Sequence, residues 1–100
     1  MIKIVDNKIV ELQANLFAEA AKLENINLSN NQIAFIHYST FSGLTNLMGI
    51  YLSKNKLATL HYNIFQHLTN LQILDLTEDN VKLNEKLIEL SKSSTVLNKP

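Results

Sequence analysis

The chain has 100 residues, nine basic and nine acidic, so its formal net charge is zero; 46% of the residues are hydrophobic and 18% charged. That length fits one domain with a thin core, the even charge balance gives no electrostatic case for nucleic acid, and no apolar stretch approaches the ~20 residues that span a bilayer. The absence of cysteine removes disulfides, thiolate metal sites and thiol nucleophiles together.

Met1 to Val10 carries charges at Lys3, Asp6 and Lys8 and so lacks the uninterrupted apolar core of a secretory signal. Its apolar and asparagine positions, Ile2, Ile4, Asn7 and Ile9, followed by Leu12 and Phe17, set out a pattern that returns three times. Leu23 to Ile33 (LENINLSNNQI), Leu47 to Leu57 (LMGIYLSKNKL) and Leu71 to Val81 (LQILDLTEDNV) share one skeleton, and their leading leucines are spaced 24 residues apart both times. Apolar residues at offsets of zero, three and five, then asparagine at eight, match neither a helix nor an ordinary strand. They describe one coil of a solenoid.

The skeleton L-x-x-L-x-L-x-x-N-x-L at this period resembles the leucine-rich repeat family. The segments Phe41-Ser-Gly-Leu-Thr-Asn46 and Phe65-Gln-His-Leu-Thr-Asn70 are similar to its 24-residue typical class, mostly found in extracellular animal proteins. The resemblance covers Ile2 to Val81 and implies an α/β fold: a right-handed leucine-rich-repeat solenoid of about four coils, with a parallel β-sheet on the concave face. Coils fall at 1–22, 23–46, 47–70 and, in part, 71–81.

Each coil is expected to open with a short strand, at Ile2 to Val5, Glu24 to Leu28, Met48 to Leu52 and Gln72 to Leu76. Alternation then turns Ile26, Leu28, Ile50, Leu52, Leu74 and Leu76 inward and Asn27, Tyr51 and Asp75 outward. Asn7, Asn31, Asn55 and Asp79 mark the turn after each strand, where an amide can donate and accept at once among buried backbone groups. Asp79 departs from the column, because an ionised carboxylate only accepts; a final coil with fewer amides to satisfy accommodates that. On the returning limb, Leu12, Ile36 and Leu60, then Phe17, Phe41 and Phe65, then Ala20, Leu44 and Leu68 form apolar columns of a core spine. Alanine-rich Asn15 to Lys22 is read as a helical turn or two on the convex side.

The first coil is short by its leading residue and leaves an apolar rim and a strand edge. Missing upstream residues, edge pairing with another molecule, and simple tolerance compete to explain it. Past Val81 the repeat lapses: Glu89 stands where a fourth phenylalanine is expected and Asn84 replaces the leucine-isoleucine column. Leu83, Leu87 and Leu90 have helical spacing, so 82–92 is expected to be an amphipathic capping helix and 93–100 a flexible tail.

By the resemblance, ligand contacts belong on the concave sheet. The candidate partner-binding residues are Lys3, Asn25, Asn27, Met48, Tyr51, Ser53, Gln72, Ile73 and Asp75, with Tyr51, Met48 and Ile73 forming an apolar island among polar side chains. An ordinary solvated sheet face is the bland reading of the same residues. Lys54 and Glu78 can pair across adjacent coils, which says little about function. His37 and His61 recur one period apart beside Tyr38 and Tyr62; a zinc site wants three or four ligands, so a surface ladder is the expectation and no metal is assigned. Asp75, Glu78 and Asp79 lack the spacing of a calcium loop. No H-E-x-x-H, G-x-S-x-G or glycine-rich phosphate loop occurs, so no catalytic residue and no cofactor is assigned. Asn27-Leu-Ser29 is a glycosylation acceptor only if the chain is secreted, and a sugar there would obstruct the concave face.

The sequence therefore predicts a non-catalytic protein-protein interaction module that grips a protein ligand through its concave sheet, without nucleic acid or membrane insertion, and with edge-to-edge self-association open through the N-terminal strand. The alternative is a structural segment of a longer extracellular receptor or adhesion ectodomain. The resemblance implies an extracellular setting, while the chain as it stands is also compatible with the cytoplasm.

Overall fold

The computed structural model describes residues 1–65, 67–82, 88–89 and 96–99, the Tyr62 side chain excepted. Its strands are β1 (Ile2–Lys3), β2 (Glu11–Leu12), β3 (Asn25–Asn27), β4 (Phe35–Ile36), β5 (Gly49–Tyr51), β6 (Ile73–Asp75) and β7 (Val96–Asn98), with a 3-10 turn at Tyr62–Ile64. Five of them form one parallel sheet in the order β1-β3-β5-β6-β7, a solenoid of four turns. The register aligns Ile2, Ile26, Ile50, Leu74 and Leu97 in one row and Lys3, Asn27, Tyr51, Asp75 and Asn98 in the next. Ile26, Ile50 and Leu74 are fully buried while Asn27, Tyr51 and Asp75 are half-exposed, as alternation requires.

The strands are shorter than expected because each coil must bend at both ends. The rungs nevertheless continue past them: Ile4, Leu28 and Leu52 donate their N–H groups to the carbonyls of Asn27, Tyr51 and Asp75 at 2.8, 2.8 and 2.9 Å. Next comes a tight corner, and its cause is regular. Asp6, Asn30, Lys54 and Glu78 all adopt left-handed backbone, with φ of 57°, 56°, 57° and 62°, one period apart and each just before the asparagine column. Non-glycine residues tolerate this at a cost of order 1 kcal/mol when surrounding structure holds them there. Asp6 accepts a hydrogen bond from the Asn30 amide, and Lys54 lies 3.9 Å from Glu78 with both side chains mostly exposed.

The asparagines secure the corner from inside. Asn31 donates through Nδ2 to the carbonyls of Ile4 and Leu28, both at 2.9 Å, and Asn55 donates to those of Leu28 and Leu52, both at 3.0 Å. Their Oδ1 atoms accept from the backbone of the preceding coil, Ile9 at 3.4 Å and Ile33 at 3.0 Å. Each side chain thus staples two coils while satisfying groups that water cannot reach.

On the returning limb a second parallel ladder, β2 with β4, pairs Glu11 with Phe35 and Leu12 with Ile36. It buries Leu12 and Ile36 and leaves Phe35 exposed. Phe17, Phe41 and Phe65 form the expected spine, with ring centroids 5.9 and 6.3 Å apart and interplanar angles of 9° and 25°. Below them, Asn46 and Asn70 donate to the carbonyls of Ala21 and Thr45 at 3.4 and 2.6 Å, a second asparagine column at the surface.

Three expectations change. Asn15 to Lys22 is not helical: it runs through successive turns, with Ala18, Ala20 and Leu23 donating to the carbonyls three residues back, Asn15, Phe17 and Ala20. The left-handed φ of 55° at Asn15 explains why no helix starts there. Val96–Asn98, expected within a flexible tail, is instead the fifth strand, in register with Ile73–Asp75 and with Leu97 buried. The array therefore does not stop at Val81. The expected helix over 82–92 lies outside the described residues apart from Lys82, Ile88 and Glu89.

Phe41 is fully buried between two phenylalanine rings. Phe41→Ala is expected to lower unfolding free energy by ~3–5 kcal/mol, because neither neighbouring coil can close the void without breaking its own stack. Urea denaturation followed by circular dichroism measures this directly, and a loss below ~1 kcal/mol would contradict the spine's role.

Candidate functional site

The outward-facing residues of β1, β3, β5, β6 and β7 make the concave face. Strand register places the expected candidates side by side: Asn25, Gly49, Ile73 and Val96 in one column, and Lys3, Asn27, Tyr51, Asp75 and Asn98 in the other. Ser29 and Ser53 continue the face beyond the strands, with Ser53 Oγ donating to Ser29 Oγ at 3.0 Å. Met48 and Gln72 lie at the opposite rim. There, with Lys22, Glu24, Asn46 and Asn70, they line an open groove of about 450 Å³. All nine predicted residues thus occupy this face or its rim.

Polar side chains on the face are held by local bonds. Asn27 Oδ1 accepts from the Ser29 N–H at 3.0 Å, and Asp75 Oδ1 accepts from the Thr77 N–H at 3.0 Å and its hydroxyl at 2.8 Å. These two-residue loops fix both acceptors and cut the entropy they would lose on contact with a ligand.

Tyr51 is positioned differently. Gly49, two residues earlier and on the same face, is buried, and a Cβ built on it would collide with Asn25 Oδ1 and stand 3.1 Å from Tyr51 Cε2 and 3.4 Å from its hydroxyl. The tyrosine ring therefore lies across the glycine, with Asn25 closing the other side. The missing side chain makes the niche, and a half-buried aromatic platform results.

Val96 is the residue that sequence reasoning missed. Paired with Ile73 and 57% exposed, it extends the island of Met48, Tyr51 and Ile73 to the last strand. The signal was present: Val96-Leu97-Asn98 repeats the pattern of Ile73-Leu74-Asp75, but 23 residues on instead of 24.

Elsewhere the chemistry is sparse. His37 stacks on Tyr38, with centroids 4.5 Å apart, and its Nδ1 accepts from the Ser39 N–H at 3.1 Å, which puts the proton of the neutral ring on Nε2. Among the described residues no group of three or more His, Cys, Asp or Glu is arranged to hold a metal ion. No helix there is long and apolar enough to cross a membrane.

The stacked parallel coils, the asparagine staples and the side chains fanned over one sheet define a repeat solenoid of the interaction type. The leucine rich repeat model matches residues 1–47 and 21–81, and the chain belongs to that family. Its fold is generally one of protein interaction without catalysis. Curated proteins give no match. Among solved structures, a leucine-rich repeat protein of Leptospira interrogans superposes with a TM-score of 0.79 at 23% identity, over 99% of this chain and 25% of that one, which speaks to the fold. TLR13, solved in complex with ssRNA13, gives 0.79 at 28% identity, over 97% and 15%. Toll of Drosophila, solved in complex with Spatzle, gives 0.81 at 25% identity, over 97% and 13%. The chain spans a quarter or less of the length of these structures.

Gly49→Ala is expected to fold with an unfolding midpoint close to that of the native chain, because Asn25 can swing aside and alanine suits a strand better than glycine. The Tyr51 ring, however, must lift. The check is the Tyr51 ring proton shifts, which are expected to move while core methyl shifts stay in place.

Proposed function

We propose that the chain is a non-catalytic recognition module that binds a protein ligand through its concave sheet, with Tyr51 on its glycine niche as the central contact. The observation carrying this reading is the run of Met48, Tyr51, Ile73 and Val96 across three adjacent strands and their rim, bordered by acceptors already held in place at Asn27 and Asp75. An aromatic anchor within a polar border is the usual composition of an interface centre. Asn25, Ser53, Gln72 and Lys3 supply the surrounding polar contacts.

A protein ligand fits better than nucleic acid. Basic and acidic residues balance over the chain, and on this face Lys3 is set against Glu24 and Asp75, so a phosphate backbone finds no basic stripe. The typical-class repeats support an extracellular setting. In that setting the Asn27 sequon competes with recognition, because a sugar on the Asn27 amide nitrogen would stand beside Tyr51 on the same face.

Tyr51→Ala is expected to leave the unfolding midpoint nearly unchanged and to weaken ligand binding by ~10-fold or more, in keeping with ~2 kcal/mol for a central aromatic. Capture of binding proteins on the immobilised native and Tyr51→Ala chains, followed by affinity measurement on those recovered, tests this. Equal affinities for the two chains would remove the concave face from consideration.

A second reading rests on the rim. Along the open edge of β1, Ile2, Ile4 and Ile9 are only partly buried whereas their equivalents one period on, Ile26, Leu28 and Ile33, are buried, and Leu16 of the same coil is 48% exposed where Thr40 is buried; solenoid coils ordinarily hide such residues against a neighbour. A segment of a longer array, or a copy of the chain paired through this edge, satisfies that need. Sedimentation equilibrium is expected to show concentration-dependent dimers in the edge-pairing case, and a strict monomer at millimolar concentration would exclude it.

A further inference from the structure

The asparagine column carries a residue that cannot do what its neighbours do. Asp79 occupies the position of Asn31 and Asn55, is 5% exposed, and its Oδ1 accepts from the Leu57 N–H at 3.1 Å, as Asn55 Oδ1 accepts from Ile33. The other half of the side chain differs. In Asn55 the second atom is an amide nitrogen that donates to the carbonyls of Leu52 and, in the coil before, Leu28. One period on, the equivalent carbonyls are those of Leu76 and Leu52. In place of the amide nitrogen Asp79 has Oδ2, a buried atom with no hydrogen-bond partner among the described residues. A carboxylate there sets acceptor against acceptor, whereas a carboxylic acid has the one proton that restores the donor.

We infer that Asp79 is a proton-operated staple: in its acid form it joins the coil of β6 to the coil of β5 by donating from Oδ2, and on losing its proton it loosens that joint. The electrostatic surroundings agree. Burial pushes the Asp79 carboxyl from 3.8 up to about 6, the Asp75 carboxylate adds to the rise, and the backbone amides of Leu57 and Asn55 pull the other way. Among the described residues the remaining charged groups of its own and the adjoining coils are Glu78, Lys82 and Glu89 on its own coil, Lys54 and Lys56 on the coil before and Lys99 after β7; Lys54 and Glu78 engage each other at 3.9 Å. Because the folded value lies above the ordinary one, the stabilisation is complete below about pH 4 and is lost as pH rises through about 6. The staple is therefore read against a variant that lacks the proton.

The experiment compares the native chain with Asp79→Asn, in which a permanent donor replaces the acid. Amide hydrogen exchange is measured from pH 5 to pH 8 at Leu57, Leu76 and Asn80, whose N–H groups bond to Asp79, Asn98 and Leu57, and divided by the intrinsic rate at each pH. The native chain is expected to lose protection by ~10-fold or more over that range, and Asp79→Asn to hold it. Parallel curves for the two chains would overturn the proposal. Carbon NMR of the Asp79 carboxyl in the native chain gives a second readout that needs no variant: titration near 6 supports the staple, and titration near 4 refutes it.

Discussion

Everything in this fold depends on satisfying backbone groups at a corner that water does not reach. A solenoid coil turns sharply after each strand, and although Asn30 and Lys54 still donate through the backbone to Ser53 and Thr77 of the next coil, the turn buries further carbonyls and N–H groups that these rungs leave over. Asn31 and Asn55 solve this with one side chain each, an amide nitrogen that reaches three carbonyls and an oxygen that accepts one N–H, spanning from their own coil to the coil before. An unsatisfied buried group of this kind costs about 1–3 kcal/mol, and each corner presents several. A leucine in the column would keep the corner apolar and leave every one of them unpaired. The left-handed residue preceding each asparagine follows from the same need, since it aims the amide inward at the cost of a strained φ.

From that corner the rest of the coil is placed. With the turn fixed, strand register is fixed, and register decides which side chains meet across coils. The row of Ile26, Ile50, Leu74 and Leu97 goes to the core and the row of Asn27, Tyr51, Asp75 and Asn98 to the concave surface. A slip of one residue would exchange the two rows and bury an aspartate and a tyrosine hydroxyl. Composition on the open row is therefore free to vary while the closed row is not. That freedom lets Lys3, Asn27, Tyr51 and Asp75 differ so widely on strands whose inner residues are all isoleucine or leucine.

The columns were legible in the sequence because burial selects for residue type at a constant spacing, and Phe17, Phe41 and Phe65 show it most plainly. Other features leave no such trace. The left-handed corner is filled by Asp6, Asn30, Lys54 and Glu78, which share a backbone angle and no side-chain chemistry. The β2–β4 ladder is two residues long on each side, with an exposed outer position that takes glutamate in one coil and phenylalanine in the next, so no alternation can be read from it. Val96–Asn98 was hidden by a one-residue shortening of the period after a limb whose landmarks, Asn84 and Glu89, break the apolar columns. Tyr51 and Gly49 were visible as neighbours on one face. That the glycine seats the ring depends on a void, which a sequence does not spell.

The concave face and the Asp79 corner are linked by connectivity. Met48 and Tyr51 belong to one coil, Ile73 to the next and Val96 to the strand after it, so the apolar island exists only while those coils stay stacked. Interior joints are held by an amide that donates at any ordinary pH. The joint below β6 is held by a carboxyl group that donates only when protonated. In a repeat protein each interface contributes nearly independently, so weakening this one leaves the corners at Asn31 and Asn55 intact and acts on the strands beyond it. Ile73 and Val96 ride on those strands, which puts half of the island on the side of the joint that a proton controls.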